Sequence, residues 1–329
     1  MSVEAVPSDP HEADSGHASA APSISVVVCA YTEERWNALV AAVDSIRRQT
    51  VPALESLVVV DHDPVLLARA REAFAGVPNV RVLENAGDRG LSEARNTGVR
   101  AARGGVVAFL DDDAVADDDW LEELAGHYAD PSVVAVGGAI EPAWVGGRPK
   151  SFPPEFDWVV GCTYAGLPET ATAVRNVIGA NMSFRRQVVE DVGGFDPRMG
   201  RTAARPLGCE ETELCLRVKR RWPDSVIVYE PLARVRHSVS PARETWGYFV
   251  RRCYAEGLSK ASVARLAGAS LGLRSERRYL ARTVPRGILV NVAGSISERD
   301  VSLLARATRM VLGVFVTTTG YCIGSIRAL

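Results

Sequence analysis

The amino-acid sequence predicts an α/β fold, a mixed and mostly parallel sheet flanked by helices, with a C-terminal helical extension. Three observations carry that expectation. Apolar runs of strand length, Val26-Val27-Val28-Cys29, Leu57-Val58-Val59-Val60 and Val106-Val107-Ala108-Phe109-Leu110, alternate with segments of helical period, the pattern of strands joined by right-handed crossovers. Two of these runs end in acids, Asp61 and Asp111-Asp112-Asp113, at strand carboxyl ends, where open α/β sheets place their ligands. From residue 241 onward the sequence reads as helical throughout, with 14 Arg and Lys against 5 Asp and Glu, whereas residues 1–240 carry 24 against 35. The two parts therefore face different partners.

With 329 residues, the chain is long enough for one large α/β domain with appendages. Residues 1–22, rich in Ala, Ser, Pro, Glu and His, lack the basic start and apolar core of a secretory signal and read as a disordered tail. Residues 23–240 form the main domain and 241–329 the basic extension. Six cysteines without any C-x-x-C spacing argue against a structural zinc site or a disulfide scaffold and fit the reduced cytosol.

Taken in order, Ile24 to Cys29 is a β-branched run suited to a central strand, left by the turn Ala30 to Glu34. Trp36, Leu39, Val40, Val43 and Ile46 recur at helical spacing, and Pro64 opens the next helix after Asp61. A third strand covers Val80 to Leu83, and the Gly-rich turn Gly87 to Gly90 runs into a helix whose Arg95 and Asn96 either reach a ligand or serve as ordinary helix residues. Neither G-x-G-x-x-G nor G-x-x-x-x-G-K-[ST] occurs, which disfavours a dinucleotide domain and a P-loop NTPase. The Asp111 to Asp113 triplet needs a cation or hydrogen-bond donors to offset its charge, and hard oxygen ligands suit Mg²⁺ or Mn²⁺.

Beyond it lie a helix over Asp117 to Tyr128 and a strand over Val133 to Val136 ended by Gly137-Gly138. The Pro- and aromatic-rich stretch Glu141 to Asn176 reads as an acceptor wall. Gly179 to Arg186 is strand-like, Gly193-Gly194 closes a short helix, and Gly200 to Gly208 is a loop bearing Arg201 and Arg205. Glu210, Glu211 and Glu213 start a helix, where the macrodipole favours acids. Successive helical residues point about 100° apart, so Glu210 and Glu211 face differently and one is free for catalysis. Val226 to Tyr229 and Ala233 to His237 read as two strands split by Glu230-Pro231. His237, at a strand end, suits a metal ligand, a phosphate contact or a structural imidazole.

Together these elements, in this order over residues 24–237, resemble the inverting glycosyltransferases of family 2, with the GT-A fold, a Rossmann-like nucleotide-diphospho-sugar transferase architecture. Asp111 to Trp120, Gly179 to Arg186 and Glu210 to Cys215 resemble more narrowly the group that elongates polyprenyl-linked or envelope sugars, which includes glucuronosyltransferases acting on glucosyl-dolichyl phosphate. The resemblance implies a donor half over 23–138 and an acceptor half over 139–240. It implies that Ala30, Tyr31 and Glu33 border the nucleotide, that Asp61 contacts the base, and that Asp111 and Asp112 lie near ribose. Asp113 would hold Mg²⁺ or Mn²⁺ with His237, and Glu211, standing where the family usually has Asp, would be the base, with Glu210 as the other candidate. Arg95, Arg201 and Arg205 are candidates for the pyrophosphate or an acidic donor sugar, and Trp158, Asn181 and Arg201 for the acceptor. The donor implied is a nucleoside diphosphate sugar, by default a UDP-sugar, and the acceptor a lipid-linked or envelope glycan. Alternatives are a small-molecule acceptor and a catalytically silent sugar-nucleotide-binding module.

An acidic main domain whose aromatics are not interleaved with basic residues argues against nucleic acid. Met310 to Ile326 is a run of 17 residues without charge, short of the roughly 20 apolar residues a bilayer span takes. The extension therefore packs on the main domain, on a second subunit in a homodimer, or lies as a basic amphipathic surface on the inner face of the cell membrane beside a lipid-linked acceptor.

Overall fold

The computed structural model describes residues 22–199, 208–267 and 274–326. Most of the expected N-terminal tail, and Arg201 and Arg205, lie outside them.

The first strand, β1 (Ile24–Ala30), is buried on both faces, as its unbroken apolar run requires. Val26 and Val28 point to one side and Val27 to the other, each at most 1 % exposed. Full burial of such a side chain contributes about 1.5–3 kcal/mol. The helix α1 (Trp36–Arg47) covers the Val26 side with Leu39, Val43 and Ile46. β2 (Glu55–Val60), α2 (Pro64–Ala73) and β3 (Val80–Glu84) follow, α2 capped by the Asp63 carboxylate and opened by Pro64. α3 (Leu91–Ala101) covers the Val27 side and leads into β4 (Val106–Asp111), which pairs with β1 on the edge opposite β2.

The chain thus winds outward through β2 and β3 and then returns past β1 to β4. The switch point is the crevice between β1 and β4, the place where such sheets bind ligands. Register makes it specific: Cys29 lies opposite Asp111 and Ala30 opposite Val60. Tyr31, Asp61 and the acidic triplet therefore leave the sheet together.

The rest of the sheet is built from β5 (Ala114–Ala116), β6 (Val133–Trp144), β7 (Thr172–Ala173), β8 (Asn181–Arg185) and β9 (Val226–Val239). The order is β3-β2-β1-β4-β8-β6-β9-β5, with β7 beside β9. The pairings among β1 to β4 are parallel, β8 runs antiparallel to both β4 and β6, and β6 and β9 are parallel. Helices α4 (Trp120–Gly126), α5 (Arg186–Asp191) and α6 (Glu210–Arg221) pack on its faces.

Two expectations about this half are corrected. Gly137-Gly138 does not end a strand, because β6 continues to Trp144. Glu230-Pro231 does not split one either, because β9 runs unbroken to Val239. The register between them slips from Gly138 opposite Glu230 to Ala139 opposite Arg234, so Pro231, Leu232 and Ala233 bulge from the ladder. Gly138 lets that bulge approach: a β-carbon there would collide with the Ala233 carbonyl and the Asn181 amide.

The C-terminal helices are α7 (Pro241–Glu244), α8 (Trp246–Ala267), α9 (Arg274–Arg278), α10 (Val284–Ser297) and α11 (Val301–Ile326), with a π turn over Tyr279–Thr283 before α10. α11 packs along α8 through glycines, Gly257 against Gly320 and Gly324 against Ala261. It also docks on the aromatic stretch. Gly313 meets the Phe156 ring, and the buried Arg309 guanidinium lies 4.1 Å over Trp246 with Phe249 and Phe152 beyond. Of the expected placements for the extension, contact with the main domain is therefore real. Its outer side still exposes Leu289, Val290, Ile296, Val311 and Phe315.

Candidate active site

A cavity of about 1980 Å³ opens at the switch point and extends beneath the C-terminal helices. The acidic triplet occupies the turn between β4 and β5. Pairing of β5 with β9 sets Ala114 opposite His237, and the Ser238 amide donates to the Asp113 carbonyl at 2.8 Å. The result is a three-residue cluster, Asp111, Asp113 and His237, whose ligand atoms lie within 4.8 Å of one another. His237 Nε2 stands 3.0 Å from Asp113 Oδ1, a buried oxygen whose near neighbour is that imidazole. Two carboxylates and an imidazole converging in this way fit Mn²⁺ or Mg²⁺.

Arginines supply the remaining charge. Arg35 Nη1 donates to Asp112 Oδ1 at 2.8 Å and lies 3.1 Å from Asp113 Oδ2, and Arg243 Nη2 donates to the same Asp113 oxygen at 3.4 Å. Burial alone would raise the Asp113 carboxyl, but His237, Arg35 and Arg243 hold it well below the usual range. Burial pushes Asp112 up to about 7 against the pull of Arg35.

At the opposite wall, α6 begins after Cys209, whose backbone is left-handed (φ 77°), a strained conformation for a residue other than glycine. Glu210 is buried, with Oε1 2.7 Å from Arg95 Nη1, and Arg95 Nη2 donates to the Gly179 carbonyl and lies 3.7 Å from Asp111. One guanidinium thus ties the acid pair to the triplet. Glu211 points differently, lines the cavity, and is pushed up to about 7 by burial and by the neighbouring Glu210 charge.

Ala30, Tyr31, Asp61, Arg95, Asp111, Asp112, Asp113, Trp158, Glu210, Glu211 and His237 all line this one cavity. Asp61 accepts from Asn85 Nδ2 at 2.7 Å and from the Gly90 amide at 3.0 Å. Other expected residues are elsewhere. Asn181 is fully buried and bonds Trp120 Nε1 and the Ala139 and Ala233 carbonyls, so it braces the sheet and cannot meet an acceptor. Glu33 sits on the exposed side of a short 3₁₀ turn, 3.6 Å from Arg69, and not among the lining residues. Asn96 hydrogen-bonds both backbone groups of Phe195 and is likewise scaffold. Glu210, committed to Arg95, is a weaker base candidate than Glu211. Arg35 and Arg243 were not legible as site residues: their partners are 77 and 130 positions away.

A switch point with an acidic cluster, and further carboxylates lining the same cavity, is the geometry against which known proteins are compared. The model for glycosyl transferase family 2 matches residues 25–193. The glucosyl-dolichyl phosphate glucuronosyltransferase of Haloferax volcanii is 38% identical over 238 residues, 72% of this chain and 76% of that protein. The chain belongs to glycosyltransferase family 2. Among solved structures, the mannosyltransferase PcManGT of Pyrobaculum calidifontis, in complex with GDP-Man and Mn²⁺, superposes with a TM-score of 0.61 at 20% identity, covering 92% of this chain and 88% of that one. GalNAc-T7 with UDP, GalNAc and Mn²⁺ gives a TM-score of 0.53 at 18% identity over 78% of this chain and 53% of that one. These neighbours share the fold and differ in nucleotide.

Proposed function

We propose that the protein moves a sugar, with inversion, from a nucleoside diphosphate donor, by default a UDP-sugar, to a hydroxyl of a lipid-linked or envelope glycan. The observation that carries this is the opening of Asp113, His237 and Glu211 on a single cavity whose first wall is the sheet's switch point. Ala30, Tyr31, Asp61 and Asp111 would border the nucleotide. Asp111, Asp113 and His237 would hold Mg²⁺ or Mn²⁺, which when bound supplies positive charge against the charge developing on the departing diphosphate.

Glu211 takes the proton of the acceptor hydroxyl as its oxygen attacks the sugar C1, and the bond from C1 to the diphosphate breaks on the far side. Arg95, held by Glu210, fixes the distance between the two ends. The acceptor end is lined by Trp158, Tyr164 and Tyr279, with Arg252 and Lys260 deeper and Arg278 and Arg282 at the mouth. Leu280 lines the same cavity and is exposed, and α10 and α11, which follow it in the chain, keep an exposed apolar side. A basic collar with exposed apolar helices suits an anionic lipid-linked acceptor reached from the cytoplasmic membrane surface, in keeping with the activity after which the Haloferax relative is named.

The test is donor turnover over a panel of UDP- and GDP-sugars with Mn²⁺ or Mg²⁺. Asp113→Asn and Glu211→Gln are each expected to abolish transfer in folded protein, and Glu211→Gln to keep donor binding. Near wild-type transfer by Glu211→Gln would remove Glu211 from the mechanism.

A further inference from the structure

Three carboxylates of the triplet face three guanidinium groups. Arg95 stands 3.7 Å from Asp111, Arg35 contacts Asp112 and Asp113, and Arg243 contacts Asp113. Arg35 and Arg243 already offset the charge on Asp112 and Asp113 before any cation enters, while Arg95 is shared between Asp111 and Glu210. Yet the same Asp113 belongs to the cluster shaped for a divalent ion, and Arg35 and Arg243 take the oxygen, Oδ2, on the side away from His237. A doubly charged ion arriving alone must enter beside these two guanidinium groups and compete with them for Asp113, in a site of low polarity where like charges repel strongly. The same ion arriving with a diphosphate brings compensating negative charge with it.

We infer that Arg35 and Arg243 hold the carboxylates in the cation's absence and turn to the donor's diphosphate when donor and cation enter together. This rests on the reading of the cavity as a nucleoside diphosphate sugar site. Both side chains suit the exchange. Arg35 is 26% exposed, lies over the exposed Tyr31 ring at 5.2 Å, and among the described residues is ion-paired with Asp112 and Asp113. Arg243 comes from α7, a four-residue helix at the root of the C-terminal extension, and its contact with Asp113 is long at 3.4 Å. Arg95, by contrast, is clamped by Glu210 and Gly179 and stays. Planar guanidinium groups bind phosphate oxygens in pairs, a geometry a carboxylate shares. By linkage, diphosphate then raises affinity for the cation, and the cation raises affinity for diphosphate by the same factor.

Equilibrium dialysis of the full chain against Mn²⁺, with and without inorganic pyrophosphate, reads this without turnover. Wild type is expected to retain Mn²⁺ weakly alone and far better with pyrophosphate. Arg35→Gln and Arg243→Gln are expected to bind Mn²⁺ alone roughly three- to tenfold tighter, since a competing cation is gone, and to lose most of the pyrophosphate enhancement. Arg243→Lys, which keeps a cation, is expected to move both values back toward wild type, and matching far-UV dichroism identifies the variants as folded. Weaker or unchanged Mn²⁺ binding alone in the Gln variants would overturn the inference, as would full retention of the pyrophosphate enhancement. Mn²⁺ retention that Asp113→Asn leaves unaltered would instead overturn the underlying assignment of the cation site, and the inference with it.

Discussion

At the scale of single residues, the chemistry turns on how one carboxylate differs from its neighbour. Glu210 is ion-paired to Arg95, while Glu211 is raised to about 7 by burial and by Glu210. A base must be ionised to accept a proton, so transfer is expected to be full above about pH 7 and to fall about tenfold per unit below it. A pH–rate profile checks this; a plateau extending down to the ordinary glutamate range would deny Glu211 the role. The same shift bears on stability with a defined sign. The folded state binds this proton more tightly than the unfolded one, so the group's contribution is full below the unfolded pKa and is lost as pH rises through about 7. Glu211→Gln is therefore expected to melt above wild type at about pH 8, with the gap closing toward about pH 5, in paired thermal melts. That the two acids at the start of this helix face differently was legible from the residues. The commitment of Glu210 was not, because Arg95 lies 115 positions from it.

At the scale of elements, close approach through glycine decides what can be changed. Gly320 on α11 lies so near the Tyr254 carbonyl of α8 that any β-carbon would collide with it. Gly320→Val is expected to destabilise by about 1–3 kcal/mol or more, since overpacking between rigid backbones cannot relax. Gly126, the last residue of α4, has right-handed helical geometry and nothing within 4 Å of a would-be β-carbon. Gly126→Ala is expected to stabilise by about 0.5–1 kcal/mol. Chemical denaturation of both variants against wild type would check the pair of opposite signs. Local rules erred in the same way at β6 and β9, where Gly137-Gly138 and Glu230-Pro231 carry the composition of strand ends. They serve instead a bulge that only the facing strand makes intelligible.

At the scale of the whole molecule, the acidic sheet end and the basic helices meet around one cavity, and the helices keep an apolar outer side. α11 is long and apolar enough to cross a bilayer by length and composition alone, yet its inner side is occupied by α8 and by Arg309 over Trp246. Surface contact with lipid is therefore the arrangement to test. The full chain is expected to float with anionic liposomes, and a quadruple variant with Ser at Leu289, Val290, Val311 and Phe315 to remain with the soluble fraction. These side chains are 56–69% exposed, so the fold should survive their replacement. Equal flotation of both proteins would assign that face to something other than lipid.

The sequence by itself determined the strands of the first half, the acids at their ends and the family, because each is written in contiguous residues whose period and polarity act locally. Only the tertiary structure decided that Asn181 braces the sheet, that the extension's helices line the far part of the cavity, and that Arg35 and Arg243 reach the triplet. Those outcomes depend on distance in space between residues far apart in the chain, set by strand order and register, and no window of sequence contains them.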